Sequence, residues 1–260
     1  MTDPVQVTTR DAILEVVLNR PKANAIDAAT SRALGEVFVE FRDNPALRVA
    51  IFTGAGSTFF SAGWDLKAAA EGEAYEADYG PGGFGGFPEL PDLNKPVIAA
   101  VNGKAVGGGF EIAMAAHMAI ASDTAEFWLP EASLGIIPDA GAIRLPRLLP
   151  ASVSNEVLLA GRRLDADDAL RFGLASQVVP GDQLLATARQ LARAVVAAAP
   201  LAVAAILEVS RQTRHLGTAD AFDLLRSGQI DSYQAMLDSA DATEGPAAFA
   251  ERREPRWTSH

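Results

Sequence analysis

Three consecutive glycines stand between two apolar stretches near the middle of this chain, and they constrain the fold more than any other feature. Residues 96–101 (PVIAAV) before them predict a buried strand, and residues 112–116 (IAMAA) after them predict a helix. Glycines at the start of a helix leave backbone N–H groups open, and the helix dipole directs its positive end to the same point. Glu111 falls in the first helical turn. The stretch therefore predicts a place where developing negative charge is held beside an acid or base.

Composition limits the classes of protein that the chain can belong to. It has 260 residues, of which 49% are hydrophobic, enough for one large domain or a main domain with a smaller appendage. The net charge of −11 argues against nucleic acid as a partner, because an acidic surface repels phosphate. The absence of cysteine excludes disulfides, thiolate nucleophiles and thiolate metal sites. His117, His215 and His260 are far apart and have no metal-ligand spacing, so we expect no metal.

The sequence predicts neither a membrane protein nor a secreted one. The first residues contain no basic segment followed by an apolar one, so no signal peptide is expected. The longest apolar run, residues 194–207, is broken by Pro200 and falls short of the roughly 20 residues that cross a bilayer. We therefore expect a cytoplasmic protein without a membrane partner.

Strand and helix patterns alternate in the first half of the chain, and helices alone occupy its last quarter. The patterns predict a hairpin from residues 5–7 and 13–18, a helix capped by Asp27, and a buried strand at 49–53. From residue 151 onward helices are predicted at 151–160, 166–171, 182–198, 200–214, 218–238 and 246–252. The change of pattern near 195–200 predicts a domain of residues 1–197 and a helical region of residues 198–260.

Residues 80–88 (GPGGFGGFP) form the most biased segment of the sequence. Glycine and proline dominate it, so regular secondary structure is not expected, and we interpret it as a mobile loop. Aromatic residues between glycines also occur in RNA-binding segments, but this one contains no arginine.

Two carboxylates and two glycine turns are candidates for a site. Glu111 and Glu131 each fall in the first turn of a predicted helix, where an acid is also favoured simply by the dipole. Facing one cleft, they would suit proton transfer at carbon, one as acid and one positioning water. The turns at 62–64 and 107–109 are ordinary connections when taken singly. Together they would present two N–H donors to one oxygen.

Other catalytic signatures are missing or incomplete. Ile112 stands where a dinucleotide-binding GxGxxG motif requires its third glycine, which counts against a Rossmann oxidoreductase. The sequence has no phosphate-binding GxxxxGK[ST] loop, no GxSxG nucleophile elbow and no HExxH. His117 lies in an apolar helical stretch and is expected in the core or at a helix end. Trp64 either packs internally or stacks on a cationic group of a ligand.

Four stretches with a specific order and spacing resemble the crotonase superfamily, the enoyl-CoA hydratases and isomerases. They are residues 61–66 (SAGWDL), 95–103 (KPVIAAVNG), 107–111 (GGGFE) and 129–138 (LPEASLGIIP). The resemblance covers essentially the whole chain. Further stretches are similar to the subgroup of this family that acts on crotonobetainyl-CoA, namely residues 20–27, 60–74, 80–84, 244–246 and 249–251.

The resemblance implies an α/β fold, a crotonase-like spiral of ββα units with a C-terminal helical trimerisation region. It implies a homotrimer, or a homohexamer built as a dimer of trimers. The backbone N–H groups of Trp64 and Gly108 would form an oxyanion hole for a thioester carbonyl. Glu131 would exchange the proton at the α carbon, and Glu111 would help to hold the water that adds to the β carbon.

The same resemblance implies which residues would hold the substrate. Coenzyme A would be bound by Lys22, Ala23, Ala25, Ala62 and Leu66, and no cofactor would be needed beyond the coenzyme A carried by the substrate. Asp139 departs from the general hydratase pattern, in which glycine is frequent at that position. An acid there, or the ring of Trp64, could meet a trimethylammonium group, and the alternative for Asp139 is a helix cap or turn residue.

These features predict a lyase that reversibly hydrates a 2-enoyl-CoA thioester, with crotonobetainyl-CoA and carnitinyl-CoA as the expected pair. A general short-chain enoyl-CoA hydratase is the alternative within this class. A catalytically silent acyl-CoA-binding protein is the alternative from another class, and the presence of both Glu111 and Glu131 argues against it.

Overall fold

The structure is a computed structural model that describes residues 3–258. It contains ten strands, β1 (Val5–Arg10), β2 (Ile13–Leu18), β3 (Val49–Gly54), β4 (Phe59–Ser61), β5 (Val97–Val101), β6 (Lys104–Val106), β7 (Met118–Ser122), β8 (Glu126–Trp128), β9 (Leu164–Asp165) and β10 (Gln177–Val179), within those residues.

Over the same residues the helices are α1 (Ala28–Asp43), α2 (Leu66–Ala70), α3 (Gly108–Ala115), α4 (Asp139–Leu148), α5 (Ala151–Ala160), α6 (Ala166–Phe172), α7 (Leu184–Ala197), α8 (Pro200–Thr213), α9 (Thr218–Arg226), α10 (Asp231–Leu237) and α11 (Asp241–Glu251). Short 3₁₀ turns cover Glu131–Leu134 and Gly181–Gln183.

The strands form two sheets, and the chain passes repeatedly from one to the other. A six-stranded sheet has the order β1-β2-β3-β5-β7-β10, and a four-stranded sheet has the order β4-β6-β8-β9. The pairs β1–β2 and β8–β9 are antiparallel, and the other pairs are parallel. Successive turns of the chain thus place β3, β5 and β7 in the first sheet and β4, β6 and β8 in the second. This is the spiral of ββα units that the resemblance implied.

The large sheet is buried on both faces, which explains its nearly continuous apolar strands. Along β3, Ala50 and Phe52 point into a core that contains α1 and the second sheet. Val49 and Ile51 point the opposite way, into a smaller core covered by α7. Successive side chains of a strand alternate between faces, so one apolar strand supplies both cores.

Several element predictions need correction. The predicted helix 218–238 is two helices, α9 and α10, because the chain breaks around Gly228, whose φ is +79°. Helix α4, which begins at Asp139, was not predicted from the sequence. The short strands β4, β6, β9 and β10 were not predicted, since two or three residues are too few for a periodicity to be seen.

Residues 80–88 are irregular, as predicted, but they are packed rather than free. The hydroxyl of Ser31 donates to the carbonyl oxygen of Gly83 and accepts from the N–H of Gly85. Phe87 is 3% exposed, and its ring centroid lies 4.6 Å from that of Phe38. The expectation of a mobile loop is therefore wrong for this part of the segment.

Helix α8 packs differently from α7, which precedes it. Helix α7 covers the large sheet through Leu184, Ala188 and Ala192, whereas α8 packs mainly against α10. The predicted boundary between residues 197 and 198 falls between these two arrangements, and the boundary stays a prediction. Over the described residues, no single helix has the length and composition of a membrane span. The segments Gly181–Ala197 and Pro200–Thr213 have them only when taken together, and they are bent by 104° relative to each other.

Candidate active site

The two glycine turns of the sequence lie against each other. Gly63 follows β4 with a φ of +77°, and a Cβ atom on it would stand 2.7 Å from both the nitrogen of Gly108 and the carbonyl oxygen of Val106. A Cβ on Gly109 would overlap the carbonyl oxygen of Ser61. Side chains at these positions would force the turns apart, so glycine is required for the approach.

Backbone N–H groups of both turns remain open at this contact. Gly107 N–H donates to the carbonyl of Trp128, and Asp65 N–H donates to that of Ile26. Within residues 3–258, the N–H groups of Trp64 and Gly108 have no hydrogen-bond partner. Gly108 is also the first residue of α3, where helical N–H groups have no acceptor within the helix.

Glu111 lies in the first turn of α3 and is 7% exposed. Its Oε1 atom accepts a hydrogen bond of 2.6 Å from the N–H of Gly141 in α4. Burial raises the pKa of Glu111 to about 8, the Gly141 hydrogen bond opposes the rise, and the charges of Asp139 and Glu131 add to it. The group can therefore hold or release a proton near neutral pH.

Glu131 begins the 3₁₀ turn that follows β8 and is 8% exposed. Its buried Oε2 atom has no hydrogen-bond partner among the described residues. Burial raises the pKa of Glu131 to about 7, and the charge of Asp139 acts in the same direction. A buried carboxyl oxygen without a partner is costly in a protein and is frequent where a ligand supplies the partner.

Gly107 allows Glu131 to reach this position. Its φ is +53°, and a Cβ on it would overlap the Oε1 atom of Glu131. The glycine that opens α3 thus also makes room for the second carboxylate. The first-turn helix predicted around Glu131 is present as a 3₁₀ turn, with Pro130 at its N-cap position.

A cavity of about 180 Å³ brings these groups together. Glu111 and Glu131 both border it, as do Trp64 and Gly108. Its complete lining is Ala62, Trp64, Leu66, Tyr75, Tyr79, Phe84, Glu89, Val106, Gly107, Gly108, Glu111, Pro130, Glu131, Leu134, Ile136 and Asp139. Two open N–H donors and two carboxyl groups therefore share one space, which can stabilise an oxyanion and move protons beside it.

The residues expected to bind coenzyme A lie in two adjoining segments. Ala62 and Leu66 line the cavity, and Leu66 is 55% exposed at its edge. Lys22, Ala23 and Ala25 do not line it, but their loop is hydrogen-bonded to the first segment. Ala62 N–H donates to the carbonyl of Ala23 over 2.9 Å.

Arg20 fixes this loop against the start of α2. Its guanidinium donates to the carbonyl of Ala25 over 2.5 Å and forms ion pairs with Asp27 at 2.6 Å and Asp65 at 3.2 Å. The exposed side chain of Lys22 stands next to this anchored stretch.

Asp139 and Trp64, the two candidates for substrate selection, both line the cavity. Asp139 is the first residue of α4 and is exposed, and Pro138 occupies the N-cap position, so Asp139 is not the N-cap. Its Oδ1 atom accepts a local hydrogen bond of 2.7 Å from the N–H of Ala140. The indole N–H of Trp64 donates to Glu73 over 2.9 Å. This bond fixes the ring at the cavity wall.

Three aromatic residues of the lining were not predicted from sequence as site residues, namely Tyr75, Tyr79 and Phe84. They lie in the irregular connection between α2 and β5, where no helical or strand period relates them to the motifs. Only the number of aromatic residues around the glycine-rich segment could have indicated them.

His117 and His215 do not line this cavity. His117 follows α3, as expected for a helix-end residue, and its Nδ1 atom accepts from the N–H of Val97 over 3.1 Å. In the part of the chain that is described, no three histidine, aspartate or glutamate side chains are arranged to hold a metal ion. His260 lies outside that part, and the expectation of no metal stays a prediction.

Comparison with known proteins gives similarity over the full length. The chain is 58% identical to the carnitinyl-CoA dehydratase of Salmonella arizonae over 261 residues, covering 100% of both sequences. It is 55% identical to the carnitinyl-CoA dehydratase of Escherichia coli K12 over 258 residues, covering 99% of both. The sequence resemblance to this subgroup is thereby confirmed.

Solved structures are similar in fold along the whole chain. An enoyl-CoA hydratase from Mycobacterium tuberculosis superposes with a TM-score of 0.89 at 38% identity, covering 99% of each chain. An enoyl-CoA hydratase from Bacillus anthracis gives a TM-score of 0.89 at 30% identity, covering 99% of this chain and 100% of the other. Residues 8–260 match the family described as enoyl-CoA hydratase/isomerase. The chain belongs to the enoyl-CoA hydratase/isomerase family, the crotonase superfamily.

Proposed function

We propose that this protein is a lyase that reversibly hydrates a 2-enoyl-CoA thioester, and that its substrate pair is crotonobetainyl-CoA and carnitinyl-CoA. The observation that carries the proposal is the shared cavity, in which two buried glutamates with raised pKa values border two open N–H donors. The names and the full-length identity of the relatives support this choice of substrate.

The oxyanion hole supplies the electrostatic part of catalysis. Addition of water to the β carbon moves the alkene electrons toward the thioester carbonyl, whose oxygen becomes enolate-like. In our proposal the N–H groups of Trp64 and Gly108 donate to that oxygen, and the N-terminus of α3 adds its positive dipole. Loss of one such donor typically costs roughly 3–4 kcal/mol of transition-state stabilisation.

The glutamates supply the proton transfers. Glu111 holds the water and accepts a proton from it as the oxygen bonds to the β carbon. Glu131 delivers a proton to the α carbon, so hydrogen and hydroxyl are added while the pair as a whole keeps the same number of protons. The two raised pKa values, about 8 and about 7, lie close enough for either group to carry the shared proton at neutral pH. Dehydration is the same sequence in reverse.

Coenzyme A is held, in this proposal, by the two hydrogen-bonded segments beside the cavity. Ala62 and Leu66 border the entrance, and the loop with Lys22, Ala23 and Ala25 lies next to them. No cofactor is needed beyond the coenzyme A of the substrate, since proton transfer and oxyanion stabilisation are provided by the chain.

Selection of the substrate is assigned to Asp139 and Trp64. Both line the cavity, and a carboxylate and an indole ring attract a trimethylammonium group by charge and by cation–π interaction. The test compares kcat/KM for crotonobetainyl-CoA and crotonyl-CoA in the wild type and in Asp139→Gly. An unchanged preference in the variant would remove Asp139 as a selector.

The decisive experiment measures enone absorbance with a panel of acyl-CoA substrates, in wild type and Glu131→Gln. We expect turnover of crotonobetainyl-CoA in the wild type and a loss of about 10²-fold or more in the variant. An exposed matched control, Glu36→Gln, should retain wild-type turnover. No turnover of any substrate by the wild type would instead support a silent acyl-CoA-binding protein. Preference for crotonyl-CoA would support a general short-chain hydratase.

We further propose a homotrimer or homohexamer in the cytoplasm, acting in carnitine or fatty acid metabolism, with the helices after residue 197 forming the subunit contacts. Large apolar side chains on these helices are exposed, among them Phe249 at 88% and Leu237 at 49%. Light scattering on the full chain tests the assembly, and a monomer at micromolar concentration would contradict it.

A further inference from the structure

The cavity is rich in carboxylates and aromatic rings and has no cationic side chain in its lining. Four acids border it, Glu89, Glu111, Glu131 and Asp139, while none of its lining residues is lysine, arginine or histidine. Four aromatic side chains also line it, those of Trp64, Tyr75, Tyr79 and Phe84. Such a lining complements a positively charged group of low hydration rather than a neutral alkyl chain.

The aromatic side chains meet in two perpendicular pairs. The rings of Trp64 and Tyr75 have centroids 5.4 Å apart at an angle of 76°. The rings of Tyr79 and Phe84 have centroids 5.2 Å apart at 80°. In each pair the edge of one ring meets the face of the other, and all four residues line the same cavity.

The polar ends of three of these side chains are already occupied. Trp64 Nε1 donates to Glu73, whose other carboxylate oxygen accepts from the N–H of Ala28. The Tyr75 hydroxyl donates to the carbonyl of Ile137, and the Tyr79 hydroxyl donates to the carbonyl of Tyr75. Because these bonds fix the rings and leave no free donor, the wall offers the cavity its aromatic surface.

Tyr75 connects this wall to the acidic side of the cavity. Its hydroxyl is bound two residues before Asp139, and the negative charges of Asp139, Glu111 and Glu131 all act on it. The Tyr75 ring and the three carboxyl groups all line the same cavity. A group lying there is close to both π electrons and negative charge.

We propose that Trp64, Tyr75, Tyr79 and Phe84, together with Asp139, form a binding subsite for the quaternary ammonium group at the end of the acyl chain. The inference rests on the proposed function, because it places the thioester at Trp64 and Gly108 and the acyl end beyond the glutamates. It extends that proposal by assigning cation recognition to the segment of residues 73–84, with Glu73 as a positioning residue for the Trp64 ring.

The test compares crotonobetainyl-CoA with its neutral isostere, in which carbon replaces the quaternary nitrogen. The two have nearly the same shape, so the ratio of their kcat/KM values measures recognition of charge. We expect the wild type to favour the charged substrate at least about tenfold. Because cation–π contacts in desolvated sites have energies of about 1–2 kcal/mol, Tyr75→Leu should lower the ratio about fivefold to thirtyfold.

Two matched variants separate the ring from other effects. Tyr75→Phe keeps the ring and loses the bond to Ile137, so its ratio should stay within about twofold of wild type. Tyr233→Leu removes a partly buried tyrosine outside the cavity and should leave the ratio unchanged. An equal loss with both substrates in Tyr75→Leu would show a packing role and overturn the proposal.

Binding to the wild type gives a test that needs no variant. Carnitinyl-CoA should bind at least about tenfold more tightly than its neutral isostere in calorimetry. Equal affinities would overturn the subsite even if hydration were observed. Preferential binding without turnover of any substrate would contradict the proposed function and leave the subsite standing.

Discussion

The Oε1 atom of Glu111 on α3 lies 2.6 Å from the backbone nitrogen of Gly141 on α4. This bond joins a cavity carboxylate to the first turn of another helix, where N–H groups have no acceptor within the helix. The contact is close, because a Cβ atom on Gly141 would stand 3.2 Å from the same oxygen and 2.9 Å from Leu129 Cδ1. The position of Glu111 therefore depends on the absence of a side chain at residue 141.

Gly141→Ala should displace Glu111 and lower kcat. A shift of the carboxylate by a few tenths of an ångström disturbs the position of the bound water, and such misplacement reduces rates by roughly tenfold to a hundredfold. KM should change little, because Gly141 is outside the segments assigned to coenzyme A. The measurement is steady-state hydration of crotonyl-CoA, with Gly181→Ala as the matched control, because a Cβ there would stand at an ordinary contact distance of 3.9 Å from Ser122 Cβ. Wild-type kcat in Gly141→Ala would contradict this role.

The rate should depend on pH through the glutamate pair. Burial raises the pKa of Glu131 to about 7 and that of Glu111 to about 8, and the active form has one proton on the pair. Below about pH 7 both groups become protonated, and above about pH 8 both become ionised. We expect kcat/KM for crotonyl-CoA to be highest between these values and to fall on both sides. A flat profile from about pH 6 to 9 would contradict the assignment.

Stability should fall with rising pH because of Glu111. Its pKa is about 8 in the folded protein and 4.5 without burial, so the folded state binds an extra proton between these values. The stabilisation by this proton is fully present below about pH 4.5 and is lost as pH rises through about 8. Glu111→Gln keeps an acceptor for Gly141 without the charge. The variant should lie close to wild type near pH 5 and exceed it by about 4 kcal/mol near pH 9, since each pKa unit corresponds to about 1.4 kcal/mol.

Urea denaturation at fixed protein concentration provides this measurement. Fixed concentration matters because subunit association changes apparent stability. Glu36→Gln, at an exposed position, should follow the wild type across the whole range. A stability difference between Glu111→Gln and wild type that does not vary with pH would show that the charge is not the cause.

The spiral was predictable from sequence only through the resemblance to the crotonase superfamily, whereas its glycine turns were predictable from local patterns. Glycine 63 and glycines 107–109 stand where the backbone makes a turn or a close approach, and the acid of the first helical turn follows them at fixed spacing. Family resemblance then related Trp64 to Gly108 and Glu111 to Glu131, which are far apart in sequence. The structure brings all four to one cavity.

The aromatic wall and Gly141 were not predictable, since they depend on packing between segments. Tyr75 reaches the cavity through a bond to Ile137, 62 residues later in the chain. Residues 80–88 have the composition of a mobile loop, yet Phe87 is anchored in the core by Phe38. A composition-based inference describes the local preference of a segment and does not include the partners that fix it.

Gly108→Ala should lower activity through Phe84. The backbone at Gly108 accepts alanine, but a Cβ there would overlap Phe84 Cε1 and stand 3.0 Å from its Cδ1. The turn or the ring must move, and the N–H of Gly108 loses its alignment, so kcat for crotonyl-CoA should fall roughly tenfold to a hundredfold. Adding Phe84→Ala removes the overlap and should restore activity to that of Phe84→Ala alone, giving a coupling of about 1.4–2.7 kcal/mol, the energy equivalent of the tenfold to hundredfold loss.

Gly109→Ala is the contrasting variant. A Cβ at Gly109 would meet the backbone carbonyl of Ser61 instead of a side chain. No change at Phe84 relieves that overlap, so the double variant with Phe84→Ala should stay as inactive as the single one. Recovery in both double variants would contradict the specific contact between Gly108 and Phe84.

The charge of the substrate should itself change the titration of the glutamates. The groups that act on Glu111 from the surrounding elements are Asp139, Glu131 and Arg144, the last of which donates to the carbonyl of Pro88. A quaternary ammonium bound among them favours the ionised carboxylates, and one positive charge about 6–8 Å away shifts a pKa by roughly one unit or more. The kcat profile for crotonobetainyl-CoA should therefore lie about one pH unit lower than the kcat profile for the neutral isostere.

Profiles of kcat/KM report the free enzyme and should coincide for the two substrates. Identical kcat profiles would mean that the cation binds away from Glu111 and Glu131, whereas the predicted displacement would locate it beside them.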